Sequence, residues 1–190
     1  STIMNKFADE CDFVNGITIA GVCTQDDSVL SDKLKSCSFL TDKYEDLIER
    51  VDSVYLISHP SLHFKQIKYA LMHGKHVLCE SPFALNKDEC CELIQLAKEK
   101  GLILSDGIKT AYSTAYSRML LLAKSGRIGN IVSVDATCTS LRNVDFSDSN
   151  KLSKVWNSLC SWGPTAMLPI FQLLGTDYIN KQIITRVSNE

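Results

Sequence analysis

The chain has 190 residues, of which 45% are hydrophobic and 22% charged, and its 20 Lys and Arg against 22 Asp and Glu leave a formal net charge of −2. A composition this apolar excludes a disordered tail, and the lack of a basic surplus excludes a nucleic-acid binder that works by charge. The longest unbroken apolar stretches, such as residues 119–123, fall far short of the ~20 residues that span a bilayer, so no membrane partner is expected.

Strand-like and helix-like segments alternate through the first half of the chain. Short apolar strands are predicted at residues 17–23, 53–57, 76–79 and 102–105. Helices are predicted at residues 1–14, 44–50, 61–74 and 86–101. Ser61 is expected to cap the third of these helices and Gly74 to end it. Asn86, followed by Glu89, forms a capping pattern for the fourth helix, which Gly101 closes. Each of these two helices has an apolar stripe, Phe64, Ile67, Ala70 and Leu71 in the third and Cys90, Leu93, Ile94 and Ala97 in the fourth.

Apolar strands separated by amphipathic helices pair in parallel through helical crossovers, which predicts a doubly wound α/β domain over residues 1–110. In such sheets, ligands bind outside the carboxyl ends of the strands. Those ends carry residues 24, 58–60, 80–82 and 106–107. We therefore expect the functional side chains among these residues.

One feature of a dinucleotide-binding fold is missing. Such a fold opens with a strand and a glycine-rich turn, whose amides and following helix hold the pyrophosphate. Residues 1–14 already resemble the helix that follows that turn, and G-x-G-x-x-G occurs nowhere in the sequence. Either the fold lacks this phosphate grip, or the first strand and its turn lie outside the chain. We favour the second interpretation, because a doubly wound sheet rarely begins with a helix.

The pattern changes beyond residue 110. A helix is predicted at 115–125, and residues 130–141 alternate between apolar and polar side chains, which is typical of a strand in an open, mainly antiparallel sheet. Residues 142–153 are polar and loop-like, and a last helix carries Met167, Ile170, Phe171 and Leu174 before Gly175. A second, incomplete domain is therefore expected over residues 111–190.

The eight cysteines include no C-x-x-C pair, although zinc sites usually draw on closely spaced pairs. Several lie inside apolar segments, where a thiol behaves as a small hydrophobic group. We therefore predict no metal site, reduced thiols and a cytoplasmic location.

Two motifs in the first domain carry a family resemblance. Residues 51–63 read V-D-S-V-Y-L-I-S-H-P-S-L-H, and residues 74–82 read G-K-H-V-L-C-E-S-P. This pair resembles the glucose–fructose oxidoreductase/inositol dehydrogenase/MocA (Gfo/Idh/MocA) family, whose second motif typically ends in E-K-P. Residues 125–129, S-G-R-I-G, resemble the entry to the family's second domain, and the likeness extends over about residues 1–175.

The resemblance implies an oxidoreductase that transfers a hydride between NAD or NADP and a sugar, polyol or related small molecule. The first domain would bind the cofactor, and the second would cover the substrate and mediate a homo-oligomer. The implied cofactor-binding residues are Thr24, Ser58, His59, Pro60, His63, Glu80 and Ser81. Glu80 would lie near the nicotinamide ribose. For His63, a helix-start residue that bonds to backbone is the alternative interpretation.

The choice between NAD and NADP stays open. A carboxylate at the end of the second strand usually selects NAD by binding the ribose 2′-hydroxyl. Thr24 occupies that position, with Asp26 and Asp27 close behind. Thr24 would tolerate a 2′-phosphate better than an acid would, but no arginine lies near it in the sequence.

The departures from the family concern its proton relay. Ser81 replaces the lysine of E-K-P, and residues 161–165, S-W-G-P-T, replace an Asp-x-Gly-x-His run in the second domain. Lys109 is the predicted catalytic substitute, the alternative being a solvated lysine between two domains. Tyr112, Trp162 and Thr165 are candidates for the substrate side, and the alternative for each of them is a packing role.

Three functions remain open at this point. The leading hypothesis is an oxidoreductase that acts on a small molecule. The alternative is a binding module that senses a dinucleotide or sugar and has lost the Lys/Asp/His relay. The third is that the fragment has no activity alone, since it lacks a phosphate-binding loop and most of a substrate sheet.

Overall fold

A computed structural model of the chain describes residues 2–37, 39–139 and 158–184. The chain divides into two compact units, Ser1–Gly107 (unit 1) and Ile108–Glu190 (unit 2). Within the described ranges, no helix combines the length and the apolar character that crossing a bilayer requires.

Unit 1 alternates helices and strands as the sequence predicts. Its helices are α1 (Thr2–Cys11), α2 (Asp32–Lys35), α3 (Tyr44–Ile48), α4 (Pro60–Met72) and α5 (Lys87–Lys100). Its strands are β1 (Val22–Cys23), β2 (Leu40–Thr41), β3 (Ser53–Leu56), β4 (His76–Cys79) and β5 (Leu104–Asp106). The short elements α2 and β2 were not predicted, because two to four residues carry no measurable periodicity.

All strand pairs in unit 1 are parallel, which confirms the predicted pairing. One sheet has the order β1-β2 and the other the order β3-β4-β5. The predicted strand over residues 17–23 forms only at Val22 and Cys23. Residues 17–21 form no hydrogen-bonded ladder, because β2 offers partners only at Leu40 and Thr41.

The main core of unit 1 lies between the three-stranded sheet and helices α4 and α5. It consists of Ile48, Val54, Leu56, Ile67, Ala70, Leu71, Val77, Cys79, Leu93 and Ala97. The predicted apolar stripe of α4 is confirmed at Ile67, Ala70 and Leu71. In α5, Leu93 and Ala97 are buried, but Ile94 is 40% exposed, so the predicted stripe is wider than the buried face.

The predicted caps of α5 are confirmed, as is the glycine Gly74 that ends α4, but the predicted N-cap of α4 is wrong. The Asn86 side chain accepts a hydrogen bond of 2.9 Å from the Glu89 N–H, and Gly101 ends α5 with a φ of 66°. Helix α4 begins at Pro60 rather than after Ser61, and His59 is its cap. Proline suits the first helical position, because its fixed φ is already helical and its missing N–H is not needed there.

The sheets β1-β2 and β3-β4-β5 are joined by helices rather than by strand pairing. In the part of unit 1 that the structure describes, β1 pairs only with β2 and β3 only with β4, so each keeps one edge outside the ladders. Helix α1 contacts both sheets, because Ala8 clusters with Val22 and the Phe7 ring centroid lies 4.5 Å from that of Tyr55. Just before β1, a Cβ at Gly21 would lie 3.1 Å from the Leu47 side chain of α3 and 2.8 Å from the Phe39 carbonyl oxygen, so the chain packs closely there.

Unit 2 contains a 3₁₀ helix at Lys109–Tyr112, helix α6 (Thr114–Lys124) and helix α7 (Ser158–Leu174). The Tyr116 hydroxyl donates a 2.6 Å hydrogen bond to the Gln172 side chain, which joins α6 to α7. The predicted helices at 115–125 and around Met167–Leu174 are thus present in the structure.

The predicted strand over residues 130–141 is wrong for residues 130–139, which form no strand. Alternation alone does not make a strand, because a strand also needs a hydrogen-bonded neighbour. The described residues of unit 2 supply no second strand. The rest of that segment and the predicted loop over 142–153 lie outside the described residues, so the open antiparallel sheet stays a prediction.

Candidate functional site

The carboxyl ends of β3, β4 and β5 meet at one edge of the sheet. Leu56 pairs with Cys79, and Cys79 pairs with Asp106, so the last residues of the three strands lie in register. The segments that follow, residues 57–60, 80–82 and 107, begin side by side. We call this region, with Asp106, the carboxyl edge. It brings together the predicted residues Ser58, His59, Pro60, Glu80 and Ser81.

Glu80 is held by a tyrosine from the neighbouring strand. The Tyr55 hydroxyl donates a short hydrogen bond to Glu80 Oε1. Burial, the hydrogen bond and the charge of Glu80 all raise the pKa of Tyr55, so its phenol keeps its proton at neutral pH. Tyr55 therefore orients one carboxylate oxygen of a half-buried acid at the carboxyl edge. Tyr55 was not among the predicted site residues, and its only signal in the sequence is its place in the alternating pattern of β3.

The segment after β3 is fixed by helix α4. The Ser58 hydroxyl donates a 2.5 Å hydrogen bond to the Gln66 side chain. The Nδ1 atom of His59 lies 2.8 Å from the Ser61 hydroxyl and accepts the Ser61 N–H at 3.3 Å. Pro60 then opens the helix. These contacts hold Ser58–His59–Pro60 as a well-defined turn beside Glu80.

His63 lies beneath the carboxyl edge and is 1% exposed. Its Nδ1 atom is 2.9 Å from the Pro82 carbonyl oxygen, and its Nε2 atom is 3.0 Å from the Ser58 carbonyl oxygen. Both ring nitrogens are therefore engaged by backbone. Of the two interpretations of His63, the structure favours the residue that bonds to backbone over a direct cofactor ligand.

Asp106 is a second acid at the carboxyl edge. Burial raises the pKa of its carboxyl, and the nearby charge of Glu80 adds to this. The nearby Ser81 hydroxyl, the Phe83 N–H and the imidazole of His63 lower it in part. The sequence placed Asp106 at a strand end but gave it no role, because its neighbours Ser81 and His63 are distant in sequence.

Thr24 lies at the end of β1, in the other sheet. Its N–H donates to the Thr41 carbonyl at 2.9 Å, and its hydroxyl donates to the Asp26 carbonyl at 3.0 Å. The Asp26 carboxylate accepts hydrogen bonds from the Ser28 hydroxyl and N–H, and these lower the pKa of Asp26. Thr24 and Asp26 thus form a compact turn that follows β1.

The other predicted site residues belong to unit 2. Lys109 is exposed and is the first residue of the 3₁₀ helix, whose last residue, Tyr112, is 64% exposed. That exposure argues against core packing as the role of Tyr112. Trp162 and Thr165 lie on α7 and are partly buried. Their roles toward a substrate stay predictions.

All eight cysteines are free thiols. Cys79 is fully buried in β4, and burial, aided by the charges of Asp106 and Glu80, raises the pKa of its thiol. Cys91 on α5 is exposed. Across the described ranges, no three His, Cys, Asp or Glu side chains cluster closely enough to hold a metal ion.

We expect iodoacetamide to label Cys91 at least about 100-fold faster than Cys79 in the folded chain, because alkylation requires an accessible thiolate. Peptide mass spectrometry of a time course measures the two rates. In denaturant the rates should converge, which serves as the control. Similar rates in the native chain would contradict the burial of Cys79.

A model of the oxidoreductase family with an NAD-binding Rossmann fold, Gfo/Idh/MocA, matches residues 4–108. The chain is similar to dTDP-3,4-didehydro-2,6-dideoxy-alpha-D-glucose 3-reductase of Streptomyces violaceoruber, with 35% identity over 98 residues, which are 50% of this chain and 29% of that protein. It is also similar to D-xylose 1-dehydrogenase (NADP(+)) of Hypocrea jecorina, with 31% identity over 108 residues, which are 54% of this chain and 28% of that protein. The matches thus span less than a third of these curated relatives.

Solved structures support the same fold. An oxidoreductase from Klebsiella pneumoniae superposes with a TM-score of 0.73 and 24% identity, over 90% of this chain and 47% of that one. Scyllo-inositol dehydrogenase from Lactobacillus casei, solved with NAD(H) and scyllo-inositol, has a TM-score of 0.62 and 20% identity, over 68% of this chain and 40% of that one. Because the family model matches more than half of a chain whose strands pair in parallel between helices, this chain belongs to the Gfo/Idh/MocA oxidoreductase family, whose cofactor is NAD or NADP.

Proposed function

We propose that the whole protein is an NAD(P)-dependent oxidoreductase that transfers a hydride between the nicotinamide and a sugar, polyol or related small molecule. Residues 1–110 form its dinucleotide-binding domain, and residues 111–190 begin a substrate domain that also mediates a homo-oligomer in the cytoplasm. The carboxyl edge supports this proposal, because Ser58, Glu80 and Ser81 follow the ends of parallel strands, and parallel sheets bind dinucleotides outside such ends.

The acid at this edge suits a ribose. A ribose hydroxyl is a hydrogen-bond donor, and Glu80 presents a carboxylate that can accept it while Tyr55 fixes one oxygen. A carboxylate oriented in this way loses little freedom when it binds. The segment Ser58–His59–Pro60 lines the same edge and supplies the wall beside the cofactor. When bound, the nicotinamide supplies the hydride acceptor or donor.

The sheet edges indicate how the pyrophosphate is held. Doubly wound sheets have the strand order 3-2-1-4-5-6, in which the first strand lies between the second and the fourth. The observed orders β2-β1 and β3-β4-β5 match this series when one strand is added between β1 and β3. We propose that the whole protein places a parallel strand there, followed by a glycine-rich turn that leads into α1.

The substrate side is assigned to unit 2. Lys109 would serve as the acid or base in place of the family's relay, because Ser81 cannot carry a positive charge or act as an acid near pH 7. Tyr112, Trp162 and Thr165 would contact the substrate. The dTDP-sugar reductase and the xylose dehydrogenase among the relatives support a carbohydrate as the substrate class.

The experiment is a titration of the full-length protein with NADH and NADPH, followed by nicotinamide fluorescence. We expect Glu80→Gln to weaken cofactor binding about 10–100-fold, since a hydrogen bond to a charged group contributes about 1.5–3 kcal/mol. Glu92→Gln is the matched control, because Glu92 is an exposed acid on α5, paired with Lys68.

The outcomes separate the candidate functions. Cofactor binding that Glu80→Gln weakens and Glu92→Gln leaves intact supports the site. A screen of sugars and polyols for absorbance change then tests turnover, and binding without turnover of any of them would favour the sensing module. No binding of either dinucleotide, or equal effects of the two variants, would overturn the proposed cofactor site.

A further inference from the structure

The ring of His63 connects two segments of the carboxyl edge. Its Nε2 atom meets the carbonyl of Ser58, which follows β3, and its Nδ1 atom meets the carbonyl of Pro82, which follows β4. The two distances, 3.0 and 2.9 Å, are ordinary hydrogen-bond lengths. The ring is 1% exposed, so water does not compete for either nitrogen.

These two contacts favour one form of the ring. A backbone carbonyl can only accept a hydrogen bond, so a nitrogen facing one must carry a proton. Neutral imidazole has a proton on one nitrogen and a lone pair on the other, and that lone pair would face a carbonyl oxygen. Only the imidazolium form donates to Ser58 and Pro82 at the same time.

A buried positive charge also needs a counterion, because an uncompensated buried charge is costly. Two acids lie at this edge, Asp106, which ends β5, and Glu80, which follows β4, and the edge also carries the imidazole of His59. The carboxyl of Asp106 lies close enough to His63 for the two groups to interact electrostatically. An acid in this position can serve as the counterion that the two carbonyl contacts call for.

We propose that His63 is a buried imidazolium clamp that joins the segment after β3 to the segment after β4. It is a positioning residue: it touches only backbone, but it sets the spacing between Ser58–His59–Pro60 on one side and Glu80–Ser81 on the other. The clamp itself does not depend on the proposed cofactor. Its effect on cofactor binding rests on the proposed function.

The protonation state is measured on the folded chain labelled with ¹⁵N-histidine, by long-range ¹H–¹⁵N correlation at neutral pH. His63 should show two protonated nitrogens. His76 is an internal control, because its Nδ1 atom accepts the Ile103 N–H at 3.0 Å and must therefore lack a proton. A single protonated nitrogen at His63 would overturn the proposal.

The clamp is measured by hydrogen–deuterium exchange of His63→Gln, whose neutral amide cannot replace two charged donors. Exchange should rise about tenfold or more in the segments 57–62 and 80–85, and stay unchanged in α5. His73→Gln is the control, since His73 is exposed and bonds only within its own helix end. A rise that is uniform over unit 1, or none in the two segments, would refute the clamp.

Three further outcomes keep the two proposals apart. If His63→Gln does not fold, the spectrum of the unmodified chain still decides the protonation state. If the spectrum and the exchange support the clamp but the full-length protein binds neither dinucleotide, the proposed function fails and the clamp stands. Weaker cofactor binding by His63→Gln, with binding by His73→Gln intact, would support both.

Discussion

Leu71→Ala should lower the free energy of unfolding of unit 1 by about 2–5 kcal/mol, because it removes a fully buried side chain and leaves a cavity. Leu71 belongs to the core that α4 shares with β3 and β4, and its neighbours in that core include Ile48, Val54 and Val77. These neighbours are themselves buried on several elements, so they cannot close the cavity without moving a strand.

Urea unfolding followed by far-UV circular dichroism measures the loss. The midpoint should fall while the slope of the transition is unchanged, since the variant exposes the same surface when it unfolds. Met72→Ala is the matched control, because Met72 is the next residue of α4 and is 58% exposed. It should change the free energy of unfolding by less than about 0.5 kcal/mol. Equal losses in the two variants would contradict the orientation of α4.

The sequence predicted those parts of the fold that local patterns specify. The apolar stripe of α4, the Asn86 cap and the Gly101 terminus each depend on residues a few positions apart, and the structure confirms them. Parallel pairing followed because each apolar strand is separated from the next by a helix. The strand at 130–139 failed for the opposite reason. Alternation is local, but the neighbouring strand that would stabilise it is not.

The candidate site divides in the same way. The strand ends at Ser58 and Glu80 could be read directly, because they follow apolar segments. The contacts that organise them could not, since Tyr55 reaches Glu80 across 25 residues of sequence and His63 reaches Pro82 across 19. Such pairs exist only after β3 and β4 align. A histidine that opens a helix gives no sign of which carbonyls will surround it.

The second acid, Asp106, shows how burial changes a residue's chemistry. In sequence it is one of 22 acidic residues, most of which lie on exposed surface. In the fold it ends β5 in register with Cys79, between Ser81 and His63, and burial raises the pKa of its carboxyl. Only its ionised form would stabilise a nearby cation, and the proposed imidazolium of His63 would in turn favour that ionised form.

Lys109→Ala in the full-length protein should lower kcat about 10²–10⁴-fold with little change in cofactor affinity, because general acid–base catalysis contributes that much to a proton transfer. Lys109 is proposed because the positions of the family's proton relay lack a group that can transfer a proton. Ser81 offers only a hydroxyl, and residues 161–165 offer neither an acid nor a histidine. Lys109 is an exposed amine two residues after Gly107, the last residue of unit 1.

Lys109→Arg separates proton transfer from simple charge. Arginine keeps the positive charge but does not give up its proton near neutral pH, so it should not restore turnover if Lys109 moves a proton. Lys124→Ala, at the end of α6, is the matched control and should leave kcat unchanged. Unchanged turnover in Lys109→Ala would remove Lys109 from the mechanism. Full turnover in Lys109→Arg would instead assign it an electrostatic role, because the charge alone would then be sufficient.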